Sequence, residues 1–275
     1  LRTFARMRQT LLRSVILLFL VLVGEPRIAS GQSWSPPIGI PAPPFGVNQT
    51  APADPSPWTA AVPGFYYVDQ NASGATDAHN PYGLPGHARQ TILNPLAAGS
   101  VVELRGIYTR AQSSPNGLQM NGSSAGPVFV RGTSPTVKAV VTASWELSGT
   151  YFIIENIEFA TADPSGGVAM LAPLDRGALR NADFHGTLTS GGLSINSFNS
   201  STVTNAVVYK STIHDNGDVH ATFDQDVHGI QIGWSGRVSN VWIIDNEIYR
   251  NSGDGIQIAS GNVSTQSTVH HIYVG

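Results

Sequence analysis

Beyond residue 64 the chain is written in short apolar strands with strict in–out alternation, each opened by glycine. Residues 226–233 read Asp-Val-His-Gly-Ile-Gln-Ile-Gly, and residues 253–259 read Gly-Asp-Gly-Ile-Gln-Ile-Ala. Weaker copies precede them at Gly166-Gly-Val-Ala-Met170 and Gly191-Gly-Leu-Ser-Ile195. Setting Gly167, Gly192, Gly229 and Gly255 level puts Val168, Leu193, Ile230 and Ile256 in one inward column. Met170, Ile195, Ile232 and Ile258 form the next, while Ala169, Ser194, Gln231 and Gln257 point outward, because successive strand side chains face opposite ways. A second strand family repeats as Phe152–Ile154, Val207–Tyr209, Val241–Ile244 and Ile272–Val274. Such returns predict a solenoid whose coils pair in parallel and bury one continuous core. No stretch shows a sustained helical period. One helix is expected near 88–97, as a cap over the first rung.

Composition narrows the setting. The chain has 275 residues, net charge −3 and only 12% charged residues, so nucleic acid has no electrostatic support as a partner. Arg2, Arg6, Arg8 and Arg13 precede an apolar run from Val15 to Val23, too short to span a bilayer, and Ala29 and Gly31 are small enough for a signal peptidase. Residues 1–31 therefore read as a secretory signal, placing the mature chain outside the cytoplasm or in a periplasm, without a membrane span. Residues 32–63 hold half of the 18 prolines and read as an extended linker, with Trp34, Phe45 and Trp58 able to pack it down. With no cysteine, the domain of residues 64–275 relies on its core alone, as a monomer. His270-His-Ile-Tyr-Val-Gly275 reads as the start of another coil, and further C-terminal coils are expected.

Chemistry is sought where the repeat breaks. The step from Ile213 to Ile230 is roughly twice that from Ile248 to Ile256, which places an insertion at 218–226. Solenoid insertions emerge as loops on one face. This one carries Asp218, His220, Asp224 and Asp226, flanked by His214, Asp215 and His228. Under the glycine alignment His228 and Asp254 fall on neighbouring coils, roughly 4.8 Å apart, and so form a candidate acid/base pair. Trp234 stands at the mouth of the insertion, suited to stacking on a sugar. Asn156, Asn246 and Asn251 read as turn or ladder residues. His270 and His271 are set aside as a metal pair, because neighbours in a strand point to opposite faces.

Phe65-Tyr-Tyr-Val-Asp69, Ala98-Gly-Ser-Val-Val-Glu-Leu-Arg-Gly-Ile-Tyr108 and the Asn-Glu-Ile-Tyr-Arg-Asn to Gly-Asp-Gly-Ile-Gln-Ile segment resemble the coils of the pectate-lyase-like superfamily. The resemblance covers roughly residues 64–275. It implies an all-β fold, a single-stranded right-handed parallel β-helix, and a polysaccharide as substrate or ligand. Lyases of this kind use a lysine or arginine base, which points to Lys210 and Arg237, and Ca²⁺ on carboxylates such as Asp224 and Asp226 to neutralise the uronate. The longer lysine-serine signature of the alginate and chondroitin lyase branch is absent around Lys210, as is the paired-aspartate pattern of polygalacturonases. The leading expectation is a lyase or epimerase for a uronate polysaccharide, with His228, Asp254 and Lys210 catalytic and Trp234, Arg237, Gln231 and Gln257 binding. A glycoside hydrolase using two of Asp224, Asp226 and Asp254 is the alternative. A non-catalytic glycan-binding solenoid is the third reading.

Overall fold

The computed structural model describes residues 34–53, 55, 62–78, 87–113, 117–162, 167–189, 191–197, 201–221, 225–233, 236–259 and 268–275. The secretory signal expected at residues 1–31 therefore lies outside the described residues. Among the described residues every ladder between strands is parallel, and the strands stack into three faces of one β-helix. Face one runs through Leu118–Asn121, the first part of Trp145–Glu155 and of Val168–Arg180, then Gly191–Asn196, His228–Gly233 and Ile256–Ala259. Face two holds Phe65–Val68, Val101–Leu104, Val128–Arg131, the second halves of the two long strands, Thr202–Tyr209, Arg237–Ile244 and Thr268–Val274. Face three is built of short strands, among them Ile157–Ala160, Asp183–His185, Thr212–His214 and Glu247–Tyr249. The coil sense is right-handed, as parallel crossovers are.

The glycine register holds. Val168 pairs with Leu193, Leu193 with Ile230 and Ile230 with Ile256, while Met170, Ile195, Ile232 and Ile258 form the parallel column. Face two supplies Val102, Val130, Ile154, Leu179, Val208 and Ile243, and face three Tyr108, Val141, Phe159, Phe184 and Ile213, to one shared core. Each such side chain contributes roughly 2 kcal/mol by leaving water. The aligned glycines serve packing rather than turning: a Cβ on Gly167 would lie 2.4 Å from the Gly192 carbonyl oxygen, and one on Gly229 would lie 2.6 Å from that of Gly255.

No helix occurs among the described residues, and none is long and apolar enough to cross a membrane. The helix expected near 88–97 is instead extended chain. Arg89 donates its N–H to the Tyr67 carbonyl, and Leu96–Ala97 is a strand of face one. The residues explain this: Thr91 and Ile92 are β-branched, Pro95 has no N–H, and Asn94 before it is steered from the helical region.

The proline-rich segment is a strap rather than a spacer. It packs along face two in the reverse direction of the coils: the Trp242 indole donates to the Pro41 carbonyl at 2.7 Å, Gly46 sits over Ala178, Arg131 donates to the Pro52 carbonyl, and the Phe65 N–H to that of Val62. Gly46 has φ +101° and faces Ala178 so closely that a Cβ would stand 2.5 Å from the alanine methyl. Glycine alone meets both demands. Beneath the strap lies an outward apolar column of Phe65, Val101, Phe129, Ile153, Ala178, Val207 and Trp242. Beside it runs a column of alternating charge, Glu103, Arg131, Glu155 and Arg180, with Arg180 to Glu155 at 2.7 Å. Arg180 also donates to the Val47 carbonyl at 3.2 Å, which ties the strap to the ladder.

Candidate functional site

The rim where face three turns into face one brings together the residues that the repeat singles out. His228 opens the strand His228–Gly233 and is only 3% exposed. Its Nδ1 accepts the Asp254 backbone N–H at 3.1 Å. The Asp254 carboxylate is 4.0 Å from that nitrogen, and Asp226 lies 3.7 Å from Nε2. Both carboxylates are about two-thirds exposed, at 64% for Asp226 and 67% for Asp254. His228 and Asp254 are thus neighbours, as their register requires, and Asp226 joins them on the other side of the ring. With Nδ1 committed to a backbone donor, the proton of the neutral imidazole sits on Nε2, directed at Asp226. The ring then has no lone pair to turn toward a ligand. What faces solvent is a pair of carboxylates held apart by a buried imidazole.

The longer step is real: Ile213 stacks on Ile248 and Ile230 on Ile256, so that coil holds more residues between these positions than the next one does. Asp218 and His220 are exposed there, and the Asp218 carboxylate accepts the His220 N–H at 2.9 Å. Asp224 and Trp234 lie outside the described residues. Among the described residues no group of three or more metal-ligating side chains converges. The expectation of Ca²⁺ on Asp224 and Asp226 therefore rests in part on a residue outside the described ones.

The remaining candidates are dispersed. Gln231 and Gln257 stack on the outer side of face one, the Gln231 amide donating to Gln257 Oε1 at 3.2 Å. Arg237 is exposed at the start of Arg237–Ile244, past the opposite end of face one from His228. Lys210 is elsewhere. It occupies the turn between faces two and three with φ +49°, its ammonium over the Tyr209 ring at 5.2 Å. That turn repeats its left-handed residue coil after coil as Asn156, Asn181, Lys210 and Asp245. Lys210 is therefore not brought to the His228 rim. Asn251 forms a ladder with Asn216, accepting from its amide at 2.8 Å and donating to the Ile213 carbonyl at 3.3 Å, whereas Asn246 serves the turn, donating to the Val208 carbonyl and accepting the Ser211 N–H, both at 2.9 Å.

Face three carries a polar array that sequence reasoning assembled only in part. His185, His214 and Tyr249 occupy one outward column, and their rings stack at 5.1 Å spacings. His185 meets Glu158 at 3.1 Å; His214 meets Asp183 at 3.0 Å and Asp215 at 2.6 Å. The His214 hydrogen bond holds the Asp215 carboxyl below its ordinary value, with Arg250 assisting at 2.7 Å. The signal was available as a third strand family: Ile157-Glu-Phe-Ala160, Ala182-Asp-Phe-His185, Thr212-Ile-His214 and Glu247-Ile-Tyr249.

No protein-family model matches the sequence. No curated protein matches it either. Among solved structures the chain is similar to the crystal structure of pectate lyase Pel9A, with 17% identity and a TM-score of 0.49, over 70% of this chain and 50% of that one. The chain thus spans about half the length of that solved structure.

Proposed function

We propose that the chain is the β-helix of a secreted carbohydrate-active protein that binds a polysaccharide along face one and cleaves it at the Asp226–His228–Asp254 rim. The observation that carries this is the pairing of an uncharged amide ladder, Gln231 over Gln257, with two exposed carboxylates at one end of the same strands. Stacked amides present donors and acceptors suited to sugar hydroxyls, and coils repeat every ~4.8 Å, close to the length of one pyranose unit. Face two is covered by the strap, whereas the outward Ala169, Gln231 and Gln257 of face one keep part of their surface in solvent among the described residues.

The hydrogen bonding of His228 favours hydrolysis over elimination. A lyase or epimerase needs a base that takes a proton from sugar carbon; His228 is buried, and Lys210 and Arg237 lie away from the rim, which supports the alternative. Glycosidic hydrolysis needs two carboxyl groups, one to protonate the leaving oxygen and one to activate water or attack. Asp226 and Asp254 suit those roles, and His228 is a positioning residue between them. Incubation of the full chain with neutral and uronate polysaccharides is expected to release new reducing ends without the ultraviolet absorbance of an unsaturated uronate. Asp226→Asn and Asp254→Asn should each lower that rate about 100-fold or more, while Gln231→Ala raises KM. An unsaturated product would return the site to lyase chemistry. Retained glycan binding with no new ends would make face one a binding surface alone.

A further inference from the structure

The corner between faces one and two has a rule of its own. In each of several coils a left-handed residue interrupts the alternation there: Arg176 at φ +60°, Asn205 at +54°, Asn240 at +55° and His271 at +57°. Register aligns them, since Asp175 pairs with Thr204, Thr204 with Ser239 and Ser239 with His270. The core-facing residues on either side persist, as in Val238 and Val241, or Val269 and Ile272. Two consecutive side chains are therefore turned out of the core at each corner. Elsewhere these pairs are satisfied by polar contacts: Arg176 with Asp175, Asn205 to Asp175 at 2.7 Å, and Ser239 to Thr204 at 3.4 Å. In the last described coil the pair is His270 and His271, and both are exposed.

The expectation that these imidazoles point apart is overturned by that backbone. Their Nδ1 atoms converge to 2.7 Å, with the rings 4.7 Å apart and nearly perpendicular at 83°. Two imidazole nitrogens that close need one shared proton or one shared cation. A metal about 2.0–2.1 Å from each nitrogen would subtend roughly 80–85° between them, by the triangle those distances form. That is the cis angle of a tetragonal ion, whereas a tetrahedral one needs the nitrogens roughly 3.3 Å apart.

We propose that His270 and His271 form a surface chelate for a tetragonal divalent transition-metal ion of the copper(II) class, bound through the two Nδ1 atoms with water completing the coordination. Binding displaces the shared proton, so the cation competes with protons for the pair. Copper(II) is the natural probe, because imidazole donors favour it within the first-row series.

Titration of the full chain with Cu²⁺ should show a tightest site of one equivalent, with an electron paramagnetic resonance spectrum of a tetragonal ion carrying two equatorial nitrogens. His271→Asn, which installs the residue found at the same corner in Asn240, should weaken that site at least tenfold. His270→Ala should do the same, with the β-sheet circular dichroism of both variants unchanged. The double variant His185→Ala/His214→Ala should leave the site intact. Undiminished binding in His270→Ala and His271→Asn would overturn the proposal. So would loss of the tight site only in His185→Ala/His214→Ala.

Discussion

Faces one and two are made of the same kind of strand and share one core, yet their outer surfaces differ completely. Face two shows Ile153, Ala178, Val207 and Trp242 outward, with buried Glu155 and Arg180 beside them. Face one shows Ala169, Ser194, Gln231 and Gln257 at equivalent outward positions. The difference is the strap. An outward apolar column is stable only where something keeps water from it, and a buried ion pair only where each partner is matched. Face two is thus a second interior, while the outward Ala169, Gln231 and Gln257 of face one are only half-buried among the described residues. In a solenoid, the polarity of the outward column reports what covers the face.

The sharpest way to break this comparison is to place the same residue on both faces. Ala178→Asn, beneath Gly46, should cost about 3 kcal/mol in urea unfolding, from overpacking and an unsatisfied amide. Ala169→Asn, outward on face one, should stay within about 0.5 kcal/mol. Equal costs would mean that the strap does not seal face two. Next in size is Gly46→Ala, expected to cost about 1–3 kcal/mol through its left-handed φ and its contact with Ala178. Limited proteolysis should then cut within residues 34–53 faster than in the parent chain; unchanged cleavage would show that the strap holds by its other contacts.

The smallest effect concerns the solvated third face. Asp215 has its carboxyl lowered by the His214 hydrogen bond. A depressed carboxylate adds stability that is present above its unfolded pKa and is lost as pH falls through the folded one. The acid limb of stability below about pH 4 should therefore be shallower in Asp215→Asn than in the parent chain. An identical limb, read from urea midpoints across that range, would remove His214–Asp215 from the acid response.

Much of the fold was legible before any coordinates. Alternation has a period of two and the coils stack like on like, so levelling the glycines was enough to place Val168, Leu193, Ile230 and Ile256 in one column and His228 beside Asp254. The insertion was legible for the same reason, as a failure of the step. The juxtaposition of His228 and Asp254 was legible, but its hydrogen bonding was not. That His228 is buried, with its Nδ1 accepting a backbone N–H, depends on how the turn at residues 252–254 folds over it. Which corner Lys210 occupies was not legible, because a strand end does not reveal which corner follows it.

What the sequence determined by itself is the inward pattern, since each strand carries its own apolar period and needs only an equivalent neighbour. What only the tertiary structure decided is everything on the outside. The proline-rich segment became the cover of face two through contacts such as Pro41 to Trp242, which join parts of the chain far apart in sequence. His185, His214 and Tyr249 became one stack, and His270 and His271 turned toward each other, because coil stacking and one left-handed residue set their directions. Alternation is a local property of the backbone, whereas what covers an outward side chain, and which neighbour it meets, is settled only when distant segments pack.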